Sequence, residues 1–179
     1  MRWSLILNLL LVGTAVAETQ PYAGQQAREI ASLSESDVKA LLAGDGWGLA
    51  KPAELNGYPG PAHLLELADE LSLSDEQLAS VQTTFDRMNA EARRIGEDYV
   101  DAEAHLSTIF RRGHADRALL EELLEESAQL LAELRAVHLA AHLEVTPLLS
   151  KTQRDAYARL RGYDADQGPA DHGTGHGNH

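Results

Sequence analysis

Between Leu78 and Ile109 apolar residues recur in an unbroken alternation of threes and fours: Leu78, Val81, Phe85, Met88, Ala92, Ile95, Tyr99, Ala102, Leu106 and Ile109. A strand repeats in twos, so this spacing dictates an amphipathic helix. Arg111-Arg112-Gly113-His114 interrupts the seam, and a second begins at Leu120 and continues through Leu124, Ser127, Leu131, Leu134, His138, Ala141, Val145 and Leu148. Each helix would be about 50 Å long at the standard rise. So short a connection predicts an all-α fold built on a long antiparallel helical hairpin with short flanking helices. Two helices leave one apolar side uncovered, which leads us to expect a homodimer.

The flanks carry their own signals. Ser74-Asp75-Glu76-Gln77 reads as a capping box opening the first long helix, and Ser150-Lys151-Thr152-Gln153 repeats it after Pro147, which should kink or end the second. A last short helix is expected to run to about Arg161. Upstream, Leu64, Leu67 and Leu71 follow Pro61 at helical spacing, and Glu35–Leu42 predicts another short helix. From Trp47 to Pro61 the chain is punctuated too heavily by glycine and proline for a regular element, and reads as an ordered wrap. Its aromatics Trp47 and Tyr58, with Tyr22, are expected to cover the apolar flank of the long helices.

The first 17 residues have a single positive charge, an apolar run and Ala15-Val16-Ala17, the plan of a cleavable signal peptide. The chain has no cysteine and a formal net charge of −13, so we expect a periplasmic protein that stands on helix packing and is a poor partner for nucleic acid. The organisation expected is therefore a signal peptide at 1–17, an N-terminal segment at 18–61, a helical domain at 62–163 and a glycine- and histidine-rich disordered tail at 164–179.

Leu73-Ser-Asp-Glu-Gln77 and Leu149-Ser-Lys-Thr-Gln153, one on each side of the two seams and behind a signal peptide, resemble the Leu-Thr-x-x-Gln repeats of the Spy/CpxP-like periplasmic family. The resemblance covers roughly Pro61 to Tyr163, with serine where threonine is usual. It implies a helical-hairpin dimer with one of two functions: heavy-metal sensing or resistance, as in members of the CnrX and ZraP kind, or ATP-independent chaperoning of unfolded envelope proteins. Partners so implied are a second copy, unfolded envelope proteins or a membrane signalling protein. The chaperone branch leans on a basic cradle, whereas this chain is acidic.

Histidines carry the chemistry that can be read from the residues themselves. His138 and His142 are four apart and project from one helix face, as a shared metal ion requires, although such pairs also occur as ordinary polar residues beside a seam. His138 falls on the apolar stripe, where an unpaired imidazole is costly. Folding the chain back at Gly113 sets Met88 opposite His138, and folding it at Ser72 brings His63 to the same level. The expected site is His63, His138 and His142, with Asp86 or Glu91 as oxygen ligand and Met88 as a soft neighbour. Such donors suit a divalent transition metal, zinc foremost, with nickel, cobalt or copper as alternatives. The metal-sensing members of the resembled family pair histidines of an N-terminal segment with a His-x-x-x-Met; here His138-x-x-x-His142 stands in that place. His172, His176 and His179 in the tail form a weak flexible chelator by composition, or simply a polar end. His105 and His114 near the tip are expected to face solvent. The sequence lacks a phosphate-binding glycine loop, a nucleophile elbow and a His-Glu-x-x-His motif, so we do not expect an enzyme.

Overall fold

Serine sets the start of three helices in this chain. In the computed structural model, which describes residues 21–163, Ser34, Ser74 and Ser150 each close a full capping box, opening α1 (Glu35–Ala43), α4 (Asp75–Arg111) and α6 (Lys151–Leu160). Each cap satisfies amide groups that the first turn leaves orphaned, a contribution of roughly 1 kcal/mol. Between α1 and α4 lie the single turn α2 (Lys51–Glu54) and the short α3 (Pro61–Glu66); α5 (Arg117–Val145) follows α4, capped by Asp116. The described residues are all-helical, a pair of long helices with short ones around it, and contain no strand. None of these helices is long and apolar enough to cross a membrane. The expected signal peptide and the histidine-rich tail lie outside the described residues.

The two seams meet. Thr84, near the start of α4, donates to Glu144 near the end of α5 at 2.9 Å, and further along Ser127 of α5 donates to Glu103 of α4. Val81, Met88, Ala92, Ile95, Tyr99, Ala102 and Ile109 of α4 are buried, as are Leu123, Ser127, Leu134, His138, Ala141 and Val145 of α5. The second seam is displaced at both ends. Leu123 is buried in place of Leu124, because a step of four rather than three leads back from Ser127; Leu149 replaces Leu148, because the chain leaves the helical path at Thr146–Leu148.

Pro147 ends α5 as its missing amide requires, through a short 3-10 turn. The two capping-box glutamines then touch each other. Gln77 and Gln153 exchange amide hydrogen bonds, each at 3.0 Å, while Gln77 also donates to the Leu148 carbonyl and Gln153 to that of Leu71. The internal echo in the sequence is thus a joint between the starts of α4 and α6.

Two apolar cores result. One gathers Ile30, Leu33, Leu41, Ala92, Ile95, Tyr99 and Leu134; the other gathers Leu64, Leu71, Val81, Val145, Leu149 and Tyr157. Trp47 packs at the edge of the first, its ring 6.1 Å from that of Tyr99 and its indole N–H on Asp37. Those bonds, with the Ser34 cap ahead of the indole, hold the Asp37 carboxyl down to about 2. Tyr22 and Tyr58 are exposed and do not share the covering role expected of them. The wrap also contains the helical turn α2, which its proline at the second position favours despite the surrounding glycines.

α1 reaches α4 only because Gly96 lacks a side chain: a Cβ there would lie 2.5 Å from the Leu41 carbonyl oxygen. Gly96→Ala should therefore destabilise the fold by about 1–3 kcal/mol, although alanine in a helix interior normally gains close to 1 kcal/mol over glycine. Urea unfolding of the variant reads the sign directly; an increase in stability would show that α1 is not seated there.

Candidate functional site

Along α5 the stretch between the two cores, after Leu134 and before Val145, holds His138 and His142, both buried. The i, i+4 spacing puts them on one face, as expected. What His142 faces is the N-terminal segment rather than the acidic side chains of α4.

His142 is fixed by two elements of that segment. Its Nδ1 lies 2.7 Å from the Tyr58 carbonyl oxygen, which can only accept, so Nδ1 carries the hydrogen and Nε2 keeps its lone pair. Gly60 makes room for the ring, since a Cβ there would come within 2.7 Å of Cε1. The same Nδ1 stands 3.8 Å from Oε2 of Glu54, at the end of the α2 turn.

Glu54 is the residue at which the surroundings converge. Its Oε1 accepts from the Tyr157 hydroxyl at 2.5 Å and the Tyr163 hydroxyl at 3.3 Å, with Nδ1 of His63 also at 3.3 Å and the Arg161 guanidinium Nε at 3.5 Å. Burial first, then the neighbouring carboxylate, pushes the Tyr157 phenol well above its usual range, so it remains a donor. His63 Nδ1 also lies 3.3 Å from the Tyr157 oxygen, whose hydrogen is directed to Glu54. His63 thus faces two acceptors through Nδ1, which places its own hydrogen there too. Both imidazoles direct N–H groups toward carboxylate or carbonyl oxygen, the arrangement that leaves Nε2 basic and oriented. Oε2 of Glu54 accepts no hydrogen bond among the described residues.

His138 is different. It is 3% exposed and its Nε2 has no hydrogen-bond partner. Burial, and secondarily the neighbouring His142, lower its pKa, with Asp45 opposing. It is neutral in the folded protein near pH 7, with one polar atom unspent.

The oxygen donors expected from sequence are elsewhere. Asp86 sits two residues, roughly 200° of helix rotation, from the α5-facing Thr84, and accepts from Gln82 on the exposed side. Glu91 is held by Arg94 at 2.6 Å, and that bond lowers its pKa. Met88 lines an open trough with Val137 and Ala141. The carboxylate beside the histidines is Glu54 instead. Sequence reasoning passed over it because it lies within the wrap, although it is the only acidic residue between Asp45 and Glu66 and follows a proline that favours a helical turn. His105 and His114 are exposed. Among the described residues no group of three or more histidine and acidic side chains stands ready to hold a metal ion. The Nδ1 atoms of His63 and His142 are taken up by Glu54 and the Tyr58 carbonyl, and Oε1 of Glu54 by the tyrosine hydroxyls. The tail histidines His172, His176 and His179 lie outside the described residues.

The buried imidazole gives a pH dependence of defined sign. A histidine whose folded pKa is lowered stabilises the fold above its unfolded value near 6.5, and that contribution fades as the pH falls toward the folded value. Melting temperature should therefore drop between pH 7 and pH 5, and His138→Leu should flatten the drop. By removing an unpaired buried polar atom, that variant should also gain on the order of 1 kcal/mol at pH 7. A His138→Leu protein with the original slope and no gain would show that this ring is neither desolvated nor unpaired.

No family model, curated protein or solved structure matches this chain, so the functional reading rests on these side chains and their chemistry.

Proposed function

We propose that this protein binds a divalent transition-metal ion in the bacterial envelope, as a sensor, buffer or resistance factor, through His63 and His142 around Glu54, with His138 beside them. The carrying observation is the pair of imidazoles from α3 and α5 whose Nδ1 atoms lie 3.3 and 3.8 Å from the two oxygens of one half-buried carboxylate, His63 directed at Glu54 and His142 held by the Tyr58 carbonyl beside it. The donor types fit: neutral imidazole nitrogen with carboxylate oxygen suits zinc, nickel, cobalt or copper, and the unpartnered Nε2 of His138 is a buried donor atom in search of a ligand. Asp86 and Glu91 have no part in this reading. A bound ion would supply charge and a fixed junction between α3, α5 and the N-terminal segment, the kind of change a sensor needs. The cross-contacts Thr84–Glu144 and Glu103–Ser127 support a helical hairpin as the scaffold. The proposal includes a homodimer, for which the exposed apolar side chains Phe110, Leu124 and Leu143 provide material.

Calorimetric titration with zinc, nickel and cobalt, in the full chain with His172, His176 and His179 changed to alanine, tests the site. One ion per chain is expected. His142→Ala should abolish binding, and Glu54→Gln should weaken it by about 10- to 100-fold, as loss of a ligand-orienting carboxylate does. Absence of binding, or binding indifferent to both substitutions, would reject the reading. Sedimentation at micromolar concentration tests the dimer; a stable monomer would remove it.

A further inference from the structure

Away from the histidines, one side of the α4–α5 pair is open. Two open depressions lie in line along it, one between Arg87 and Glu144 and the other between His105 and Glu126; their lining residues recur every three or four positions on both helices and so share one face, a trough whose walls come from α4 and α5 alone among the described residues. Its floor is apolar: Met88, Ala102, Leu130, Val137, Ala140 and Ala141. Ala140 is exposed, and Leu130 and Val137 are half-buried, so the floor is reachable.

The rim is almost all of one sign. Glu91, Asp98, Asp101, Glu126, Glu133 and Glu144 border the floor against one arginine, Arg87, with a second, Arg94, paired to the rim residues Glu91 and Asp98. Both arginines are already committed within the rim: Arg87 to Glu144, and Arg94 to Glu91 and Asp98. Asp101, Glu126 and Glu133 have no ion-pair partner within 4 Å among the described residues, and they flank the half of the trough that contains Ala102 and Leu130. An apolar strip between two acidic rows is the complement of one particular shape, a helix with an apolar stripe flanked by Lys or Arg. A second copy of this chain is a poor occupant, because it would set carboxylates against carboxylates.

We infer that this trough is a docking surface for an amphipathic basic helix from a partner protein. The inference is independent of the metal site, whose residues do not line the trough. Stretches of about 18 residues suffice to span Arg87 to His105 on α4. Steering by the rim predicts association that weakens with salt, while the floor supplies register and the part of the affinity that salt does not remove.

The test uses the full chain and a fluorescein-labelled leucine/lysine amphipathic helix of about 18 residues, followed by anisotropy, with a leucine/glutamate helix of the same pattern as control. Saturable one-to-one binding of the lysine peptide alone is expected. Ala140→Arg, in the floor, should weaken it by roughly tenfold or more, whereas Glu121→Arg, which makes a larger charge change on the side of α5 turned away from the trough, should leave it within about twofold. Circular dichroism of Ala140→Arg confirms that the helices remain, and Glu133→Gln, with no added bulk, should give an intermediate loss. Equal weakening by Ala140→Arg and Glu121→Arg would mean general attraction to an acidic protein and would overturn the inference. So would no binding, or sedimentation showing that a second copy covers the trough and that Ala140→Arg disperses it.

Discussion

A carboxylate that is only 12% exposed must be neutralised or heavily hydrogen-bonded, and Glu54 organises its corner of the molecule on that account. It gathers the phenols of Tyr157 and Tyr163 and the guanidinium of Arg161 from α6 and the residues just after it, His63 from α3 and His142 from α5. Five side chains from three regions far apart in sequence are thereby gathered within 4 Å of one carboxylate on a single helical turn, the two tyrosines by hydrogen bonds to Oε1. Breaking such a node leaves an uncompensated charge, which costs more than the node contributes when intact. At its other end the N-terminal segment is held by fit as well as by hydrogen bonds: Gly96 admits α1, Trp47 packs at a tilt against Tyr99, Ser32 donates to Glu103, and Asn89 of α4 donates to the Ala43 carbonyl.

The long helices were legible in the sequence because a period of 3.6 maintained over many turns has no competing interpretation. The two capping boxes at Ser74 and Ser150 were legible for a similar reason, since a serine and a glutamine three residues on have few other uses in that order; the third, Ser34 with Asp37, lacks the glutamine and was passed over. Local signals of this sort do not specify which elements meet. The mutual bond of Gln77 and Gln153 depends on the turn at Pro147, and the approach of Glu54 to two histidines depends on a path through Gly57, Pro59 and Gly60 that no periodicity describes. Asp86 and Glu91 were attractive from sequence because level along the axis can be inferred from a fold-back, whereas rotation about the axis cannot be to better than a residue or two. At roughly 100° per residue, that is the difference between facing the histidines and facing solvent.

Two kinds of polar burial coexist in the protein. Glu103 is buried with both oxygens used, by Ser32 from the N-terminal segment and Ser127 from α5, and serves to tie that segment to the helix pair. His138 is buried with an atom unused. The first is the ordinary way a fold accommodates a carboxylate; the second is a standing desolvation cost.

The glutamine joint behaves unlike everything around it. Carboxamides neither gain nor lose protons in water and are weak ligands for metal ions, so the bond between Gln77 and Gln153 is blind to both acidity and ionic occupancy. Any rearrangement begun at the imidazoles meets an anchor at the starts of α4 and α6 that does not answer to the same stimulus. The glycine-punctuated stretch ahead of α3 has no such insulation, because Tyr58 and Gly60 stand directly against the His142 ring.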